Sequence, residues 1–189
     1  SVGSPLADAL PVVDDLLVRY GLRKDVKIIA SGRILTAFHM TQRLAMGADL
    51  CNSARGMMMA LGCIQALRCN SNACPVGVAT QDPNLVAGLV VETKRTRVAN
   101  YQGESVHTLM ELCAAAGLES PEELTRFHIN RRISDTEVQT YAGIYGPGQM
   151  PESIFGVEQL SPEEISSQVD LFKEESSVSG SETPQRRVG

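Results

Sequence analysis

Between Val26 and Gly62 short β-branched runs alternate with stretches of helical period, and few folds accept that alternation. Val26-Lys27-Ile28-Ile29-Ala30 predicts a buried parallel strand, ended by Ser31-Gly32-Arg33. Thr36 to Met46 returns to helical spacing with Gly47 as its stop. Asp49 to Ser53 predicts a second strand, and the Met- and Leu-rich segment Ala54 to Gly62 a further helix. Strand, loop and helix, twice over, is the signature of an α/β fold. Upstream, Leu6, Leu10, Val13, Leu16 and Leu17 follow helical spacing up to a stop at Gly21. Ser1 to Pro5 is a small, polar loop in which the chain is expected to begin midway through something larger.

The chemistry is concentrated in the next stretch. Cys63, Cys69 and Cys74 stand at C-x5-C-x4-C, with Pro75 directly after the last. Three thiols this close cannot all pair with one another, but they can converge on a small inorganic centre if the backbone turns tightly. Asn70, Ser71, Asn72, Pro75 and Gly77 favour such a turn. Structural zinc usually takes four Cys or His ligands in closer pairs, and no His lies in this loop. An iron–sulfur cluster matches soft thiolates and a run ending in Cys-Pro better. Three ligands complete a three-iron cluster, whereas a four-iron one needs another from Cys51 or Cys113. Ordinary burial is the commoner fate of any single Cys, and it remains the bland alternative for each.

These residues carry a resemblance. Gly47-Ala48-Asp49, Met59 to Ile64, Arg68-Cys69 and Cys74-Pro75-Val76-Gly77-Val78-Ala79-Thr80-Gln81-Asp82-Pro83 are similar to the FMN-binding synthase domain of glutamate synthases, from about Lys24 to about Tyr145. The resemblance implies an α/β fold that is the C-terminal part of a (β/α)8 TIM barrel with an iron–sulfur loop, followed by helices and a disordered tail. It implies that Cys63, Cys69 and Cys74 hold a [3Fe-4S] cluster beside FMN. The loops after the last two barrel strands commonly form a phosphate site, and the family holds the FMN phosphate there. Here those loops are Ser31-Gly32-Arg33 and Ser53-Ala54-Arg55. Gly32 allows close backbone approach, and Arg33 and Arg55 offer planar donor forks to a dianion. The chain departs from the family's Asp-Gly-Gly at the first loop and Gly-Thr near the second. Read alone, Ser-Gly-Arg is equally a solvated turn.

With 189 residues the chain can bury one good core, yet a complete barrel needs about 250. A net charge of -5 without a basic stripe gives no sign of nucleic acid. No apolar run is long enough to span a bilayer, and no export signal opens the chain. An odd five cysteines then suit a reducing, cytoplasmic setting.

Beyond Pro83 the pattern becomes helical. Glu92 to Ala116 predicts one long helix, or two abutting at Gly103, with Cys113 facing the core. His39, His107 and His128 have no second ligand at metal spacing. Pro121 starts a helical turn, and Arg131 to Tyr145 predicts a last helix with Ser134 and Glu137 as a capping box. The expected organisation is strand–helix units with the cluster loop over 1–83, a helical region over 84–145 and a disordered tail over 146–189, with a transient helix near Pro162 to Phe172.

As the resemblance implies, the chain is a segment of an oxidoreductase. Electrons from ferredoxin or an NAD(P)H-oxidising partner reach FMN through the cluster and form L-glutamate from 2-oxoglutarate and ammonia or glutamine nitrogen. The missing N-terminal barrel half, in the same or a separate chain, would complete it, so the segment alone is expected to be inactive. Two alternatives stand: a non-catalytic module holding zinc or a cluster, and another phosphate-binding barrel enzyme like IMP dehydrogenase, which shares the Gly-Ala-Asp but uses one nucleophilic Cys.

Overall fold

In the computed structural model residues 3–146 are described. All but Gly146 of the expected tail lies outside them, the Pro162 to Phe172 helix included.

Helix α1 (Leu6–Arg19) follows Pro5 and buries Leu10, Pro11 and Val12. Strand β1 (Ile29–Ser31) is shorter than the expected run and shifted toward its end. Upstream of it the Ile28 N–H is taken by the Asp49 carboxylate at 2.7 Å, and the Val26 N–H turns back to the Leu22 carbonyl at 3.2 Å. Helix α2 (Ala37–Ala45) starts on Thr36, whose hydroxyl accepts from the His39 N–H, and brings the chain back to β2 (Leu50–Asn52). β1 and β2 pair in parallel, with Ile29 opposite Leu50, Ala30 opposite Cys51 and Ser31 opposite Asn52. A parallel pair joined by a crossover helix is the α/β unit expected from the alternation.

Helix α2 ends because Gly47 takes φ +109, letting the Ala48 N–H reach back to the Arg43 carbonyl at 3.1 Å. No side chain fits there: a Cβ on Gly47 would lie 2.3 Å from Asp14 Cγ. Helix α3 (Ala54–Ala60) follows β2 directly, and the short α4 (Pro83–Val86) comes after the cysteine loop. Helix α5 (Val91–Ala115) runs straight through Gly103 as one element and packs on both α2 and α3. The core joins Leu10, Ala30, Ala37, Met46, Leu109 and Cys113. Met46 and Cys113 are fully buried, and burying a side chain such as Met46 contributes about 1.5–3 kcal/mol.

The helix expected over Arg131 to Tyr145 is absent. Strands β3 (Asn130–Arg132) and β4 (Val138–Thr140) form an antiparallel hairpin, and only α6 (Tyr141–Ile144) is helical. Ser134 and Glu137 close the turn instead of capping a helix. The Glu137 carbonyl accepts from the Ile133 and Ser134 N–H groups at 2.9 and 3.3 Å, and the Ser134 hydroxyl accepts from the Thr136 N–H. Before the hairpin, Pro121–Glu123 is a single 3-10 turn capped by Ser120, at the expected place.

Beneath the strands, charged groups tie the elements together. Arg23 reaches Asp14 at 2.7 Å and Asp49 at 2.9 Å, and Arg126 reaches Asp14 and Asp15 at 3.0 and 2.8 Å. Arg126 also donates to the Pro11 and Tyr145 carbonyls.

Candidate functional site

The two loops singled out in the sequence emerge side by side at the C-terminal ends of β1 and β2, since Ser31 pairs with Asn52. Ser31, Gly32, Arg33, Ala54 and Arg55 are exposed, and Ser53 is half-buried. Gly32 and Arg33 both sit at positive φ, +142 and +53, so this turn bends sharply before Ile34 plunges into the core. The Ser53 hydroxyl donates to the Ile34 carbonyl at 2.6 Å, stitching one loop to the other.

A residue that pattern reading missed completes the stitch. Tyr101, on α5, donates to the Leu35 carbonyl at 2.9 Å and lies 3.2 Å from the Ser53 hydroxyl. Gly56 leaves the space for it, because a Cβ there would stand 2.1 Å from the phenol oxygen. Nothing in the sequence near Tyr101 signals this, as its partners lie 48 and 66 residues away.

The cysteine loop begins where α3 ends. Gly62 at φ +102 lets the Cys63 N–H bond the Met58 carbonyl at 3.0 Å, which fixes the backbone of the first cysteine. The Cys63 sulfur accepts from the Gln65 N–H at 3.4 Å. Gln65, Leu67 and Asn72 all adopt left-handed φ, between 55° and 57°, so this is an unusually bent stretch for side-chain-bearing residues. Asn72 holds its two arms together: its side chain accepts from the Gln81 N–H at 2.7 Å and its carbonyl from the Thr80 hydroxyl at 2.6 Å.

Cys74 is buried and faces a row of backbone N–H groups from Ala79, Val76, Val78 and Gly77, which hold its thiol below the usual cysteine range. Gly77 brings that backbone against α4, with room for a Cβ denied by the Leu85 carbonyl at 2.5 Å. Cys69 is exposed. Among the described residues no three His, Cys, Asp or Glu side chains are gathered closely enough to hold a metal ion, so the three sulfurs share a loop but not a common point.

The donor chemistry nonetheless suits iron–sulfur ligation, with soft sulfurs, two of them met by backbone N–H donors of the sort that tune such centres. Cys51 and Cys113 are of the opposite character. Burial pushes both thiols up, with Glu123 adding to the effect at Cys113, and Cys113 is fully buried in the core. The histidines are likewise accounted for locally: His39 lies by Thr36, His128 by Thr125, and His107 pairs with Glu111 at 3.3 Å.

Among the described residues, no element covers one face of the strand pair. Ala30 points into the core, but Ile29 and Leu50, opposite each other across the ladder, are 60% and 56% exposed. Parallel sheets are ordinarily covered on both faces. No helix among the described residues is long and apolar enough to cross a membrane.

The family described as the conserved region in glutamate synthase matches residues 1–119, from the first loop through the end of α5. This chain belongs to the glutamate synthase family. It is 49% identical over 138 residues to a glutamate synthase large subunit-like protein, YerD, of Bacillus subtilis, covering 73% of this chain and 26% of that protein. It is 41% identical over 123 residues to an archaeal glutamate synthase [NADPH] of Methanocaldococcus jannaschii, covering 65% and 24%. A glutamate synthase [NADH] of Saccharomyces cerevisiae is 29% identical over 122 residues, 65% of this chain and 6% of that one. The chain thus spans about a quarter of the length of the first two relatives. Both candidate loops and all three loop cysteines fall inside the glutamate synthase family match, whereas the β3–β4 hairpin lies beyond it.

Proposed function

We propose that this chain is the C-terminal part of the FMN-binding domain of a glutamate synthase-like, cytoplasmic iron–sulfur flavoprotein. The observation that carries the reading is the adjacency of the two loops at the C-terminal ends of neighbouring parallel strands, where barrel enzymes bind phosphate. β1 and β2 would be the last strands of a (β/α)8 barrel, and the bare Ile29 and Leu50 face would turn toward its interior. The missing N-terminal barrel half, in the same or a separate chain, would supply the other strands and the residues that touch substrate.

Ser31, Gly32, Arg33, Ser53, Ala54 and Arg55 would hold the FMN phosphate, Arg33 and Arg55 through charge and the loops through backbone N–H groups. Cys63, Cys69 and Cys74 would hold a [3Fe-4S] cluster, with Cys74 facing its row of backbone amides and exposed Cys69 moving in to close the set. When bound, these groups supply electron relay from ferredoxin or an NAD(P)H-oxidising partner and the reduction that makes L-glutamate from 2-oxoglutarate and ammonia or glutamine nitrogen. This chain's residues bind and orient; none is assigned a catalytic step, and the chain alone is expected to form no glutamate.

Anaerobic purification followed by iron and acid-labile sulfide analysis tests the cluster. Wild type should carry both, Cys74→Ser and Cys69→Ser should lose them, and Cys51→Ser should keep them. Stoichiometric zinc without sulfide would replace this reading with a structural metal module, and glutamate formation by the isolated chain would show that the other barrel half is dispensable.

A further inference from the structure

We propose that Tyr101 is a positioning residue for the phosphate end of the flavin site, clamping the β1 and β2 loops to each other from α5. The inference rests on the flavin reading above and adds to it a residue outside both loops.

Below the loops, the last rung of the ladder is the pairing of Ser31 with Asn52. Beyond that rung, the backbone that would meet a phosphate has no sheet to hold it in register. Two hydroxyls take over. Each carries a single proton: that of Ser53 goes to the Ile34 carbonyl at 2.6 Å and leaves the Ser53 oxygen free to accept, and that of Tyr101 is shared between the Leu35 carbonyl at 2.9 Å and, more weakly, the Ser53 oxygen at 3.2 Å. Two successive peptide planes directly after Gly32 and Arg33 are thereby fixed. The 3.2 Å branch of the phenol proton reaches Ser53, one step before Ala54 and Arg55, so the same side chain meets both loops.

Two further features indicate a built contact. Gly56 is buried, and its missing Cβ is what admits the phenol, since a methyl there would overlap both the Tyr101 and Ser53 oxygens, at 2.1 and 2.5 Å. Tyr101 itself stands on a 25-residue helix packed against both α2 and α3, the two helices that follow the loops. A side chain on that helix senses the spacing between them. Because Leu35 and Ser53 belong to different strand–helix units, loss of the phenol hydroxyl removes one of the ties between the loops, leaves the Ser53–Ile34 bond, and loosens their spacing without unfolding either unit.

The test compares FMN with riboflavin, which lacks only the phosphate. In the chain assembled with the rest of its proposed barrel, the dissociation constants of both are measured by flavin fluorescence for wild type, Tyr101→Phe and Gly56→Ala. Tyr101→Phe should weaken FMN about tenfold, the weight of one well-made hydrogen bond, and leave riboflavin unchanged. Gly56→Ala, which displaces the phenol rather than deleting its hydroxyl, should show the same selective loss. Equal weakening of FMN and riboflavin, or unaltered FMN affinity in Tyr101→Phe, would overturn the assignment. Wild type that does not prefer FMN over riboflavin would remove the flavin-phosphate reading itself, and this inference with it.

Discussion

The two ends of the β1–β2 pair are held by different chemistry. At the N-terminal ends, Asp14, Asp15, Arg23, Asp49 and Arg126 form a web of ion pairs, and Arg126 keeps only 13% of its side chain exposed. At the C-terminal ends, two neutral hydroxyls tie two carbonyls, and both nearby arginines are left exposed. Charge is neutralised where the chain needs cohesion and left open where an anionic ligand would bind. In barrel enzymes the same division separates the end that stabilises from the end that reacts. The base should therefore govern stability and the top should govern phosphate recognition, each with little effect on the other.

Gly47→Ala is the severest way to break that division. The added methyl would collide with the Asp14 carboxylate that bridges Arg23 and Arg126, on a backbone already at φ +109. Strain and displacement of the web should together cost about 3 kcal/mol, read as a lower urea midpoint. The preference for FMN over riboflavin in the surviving folded protein should stay at the wild-type value. A variant that kept its stability but lost that preference would show that the two ends are mechanically one.

How much of this was readable beforehand follows the range of the interactions. The strand–helix alternation, the Thr36 start and Gly47 stop of α2, and the core placement of Cys113 rest on local spacing, and the structure keeps them. The Arg131 to Tyr145 segment misled because Ser134 and Glu137 suit a hairpin turn as well as a capping box, and no apolar stripe separates the two. Strand β3 is exposed throughout, so burial gave no period to read. Tyr101 and the Asp14–Arg126 bond depend on contacts far apart in sequence, 112 positions for the latter, which no window detects.

A smaller effect sharpens the comparison through pH. Burial would raise the Asp49 carboxyl, but the Ile28 N–H, Arg23 and Lys27 outweigh it, and the folded protein holds the group below its ordinary 3.8. As pH falls the unfolded chain therefore takes up the proton first. The stability Asp49 contributes is complete above about 3.8 and is lost as the pH drops through the lower folded value. Asp49→Asn should cost about 1–2 kcal/mol near neutrality and flatten the part of the acid limb due to this residue, measured by urea midpoints across pH. An unchanged acid limb would move the anchoring role to the other members of the web.

The least effect is expected on the alkaline side. Tyr145 stacks on Tyr141 and donates to Asp8 of α1, and burial first, then that carboxylate, push its phenol up to about 12. A group raised on folding gives stability that is whole below the unfolded value of about 10 and is lost as pH climbs through the folded one. The Asp8 contact joins α1 to the residue just after α6, on the same side as Arg126, whose guanidinium takes the Tyr145 carbonyl. Tyr145→Phe should thus lower the melting midpoint slightly at neutral pH and remove the decline between about pH 10 and 12 that belongs to this group, read by thermal melts across that range. If Tyr145→Phe left that decline in place, the Tyr145–Asp8 contact would not be the alkali-sensitive part of the lower web, and the contrast between the two ends would have to be drawn without it.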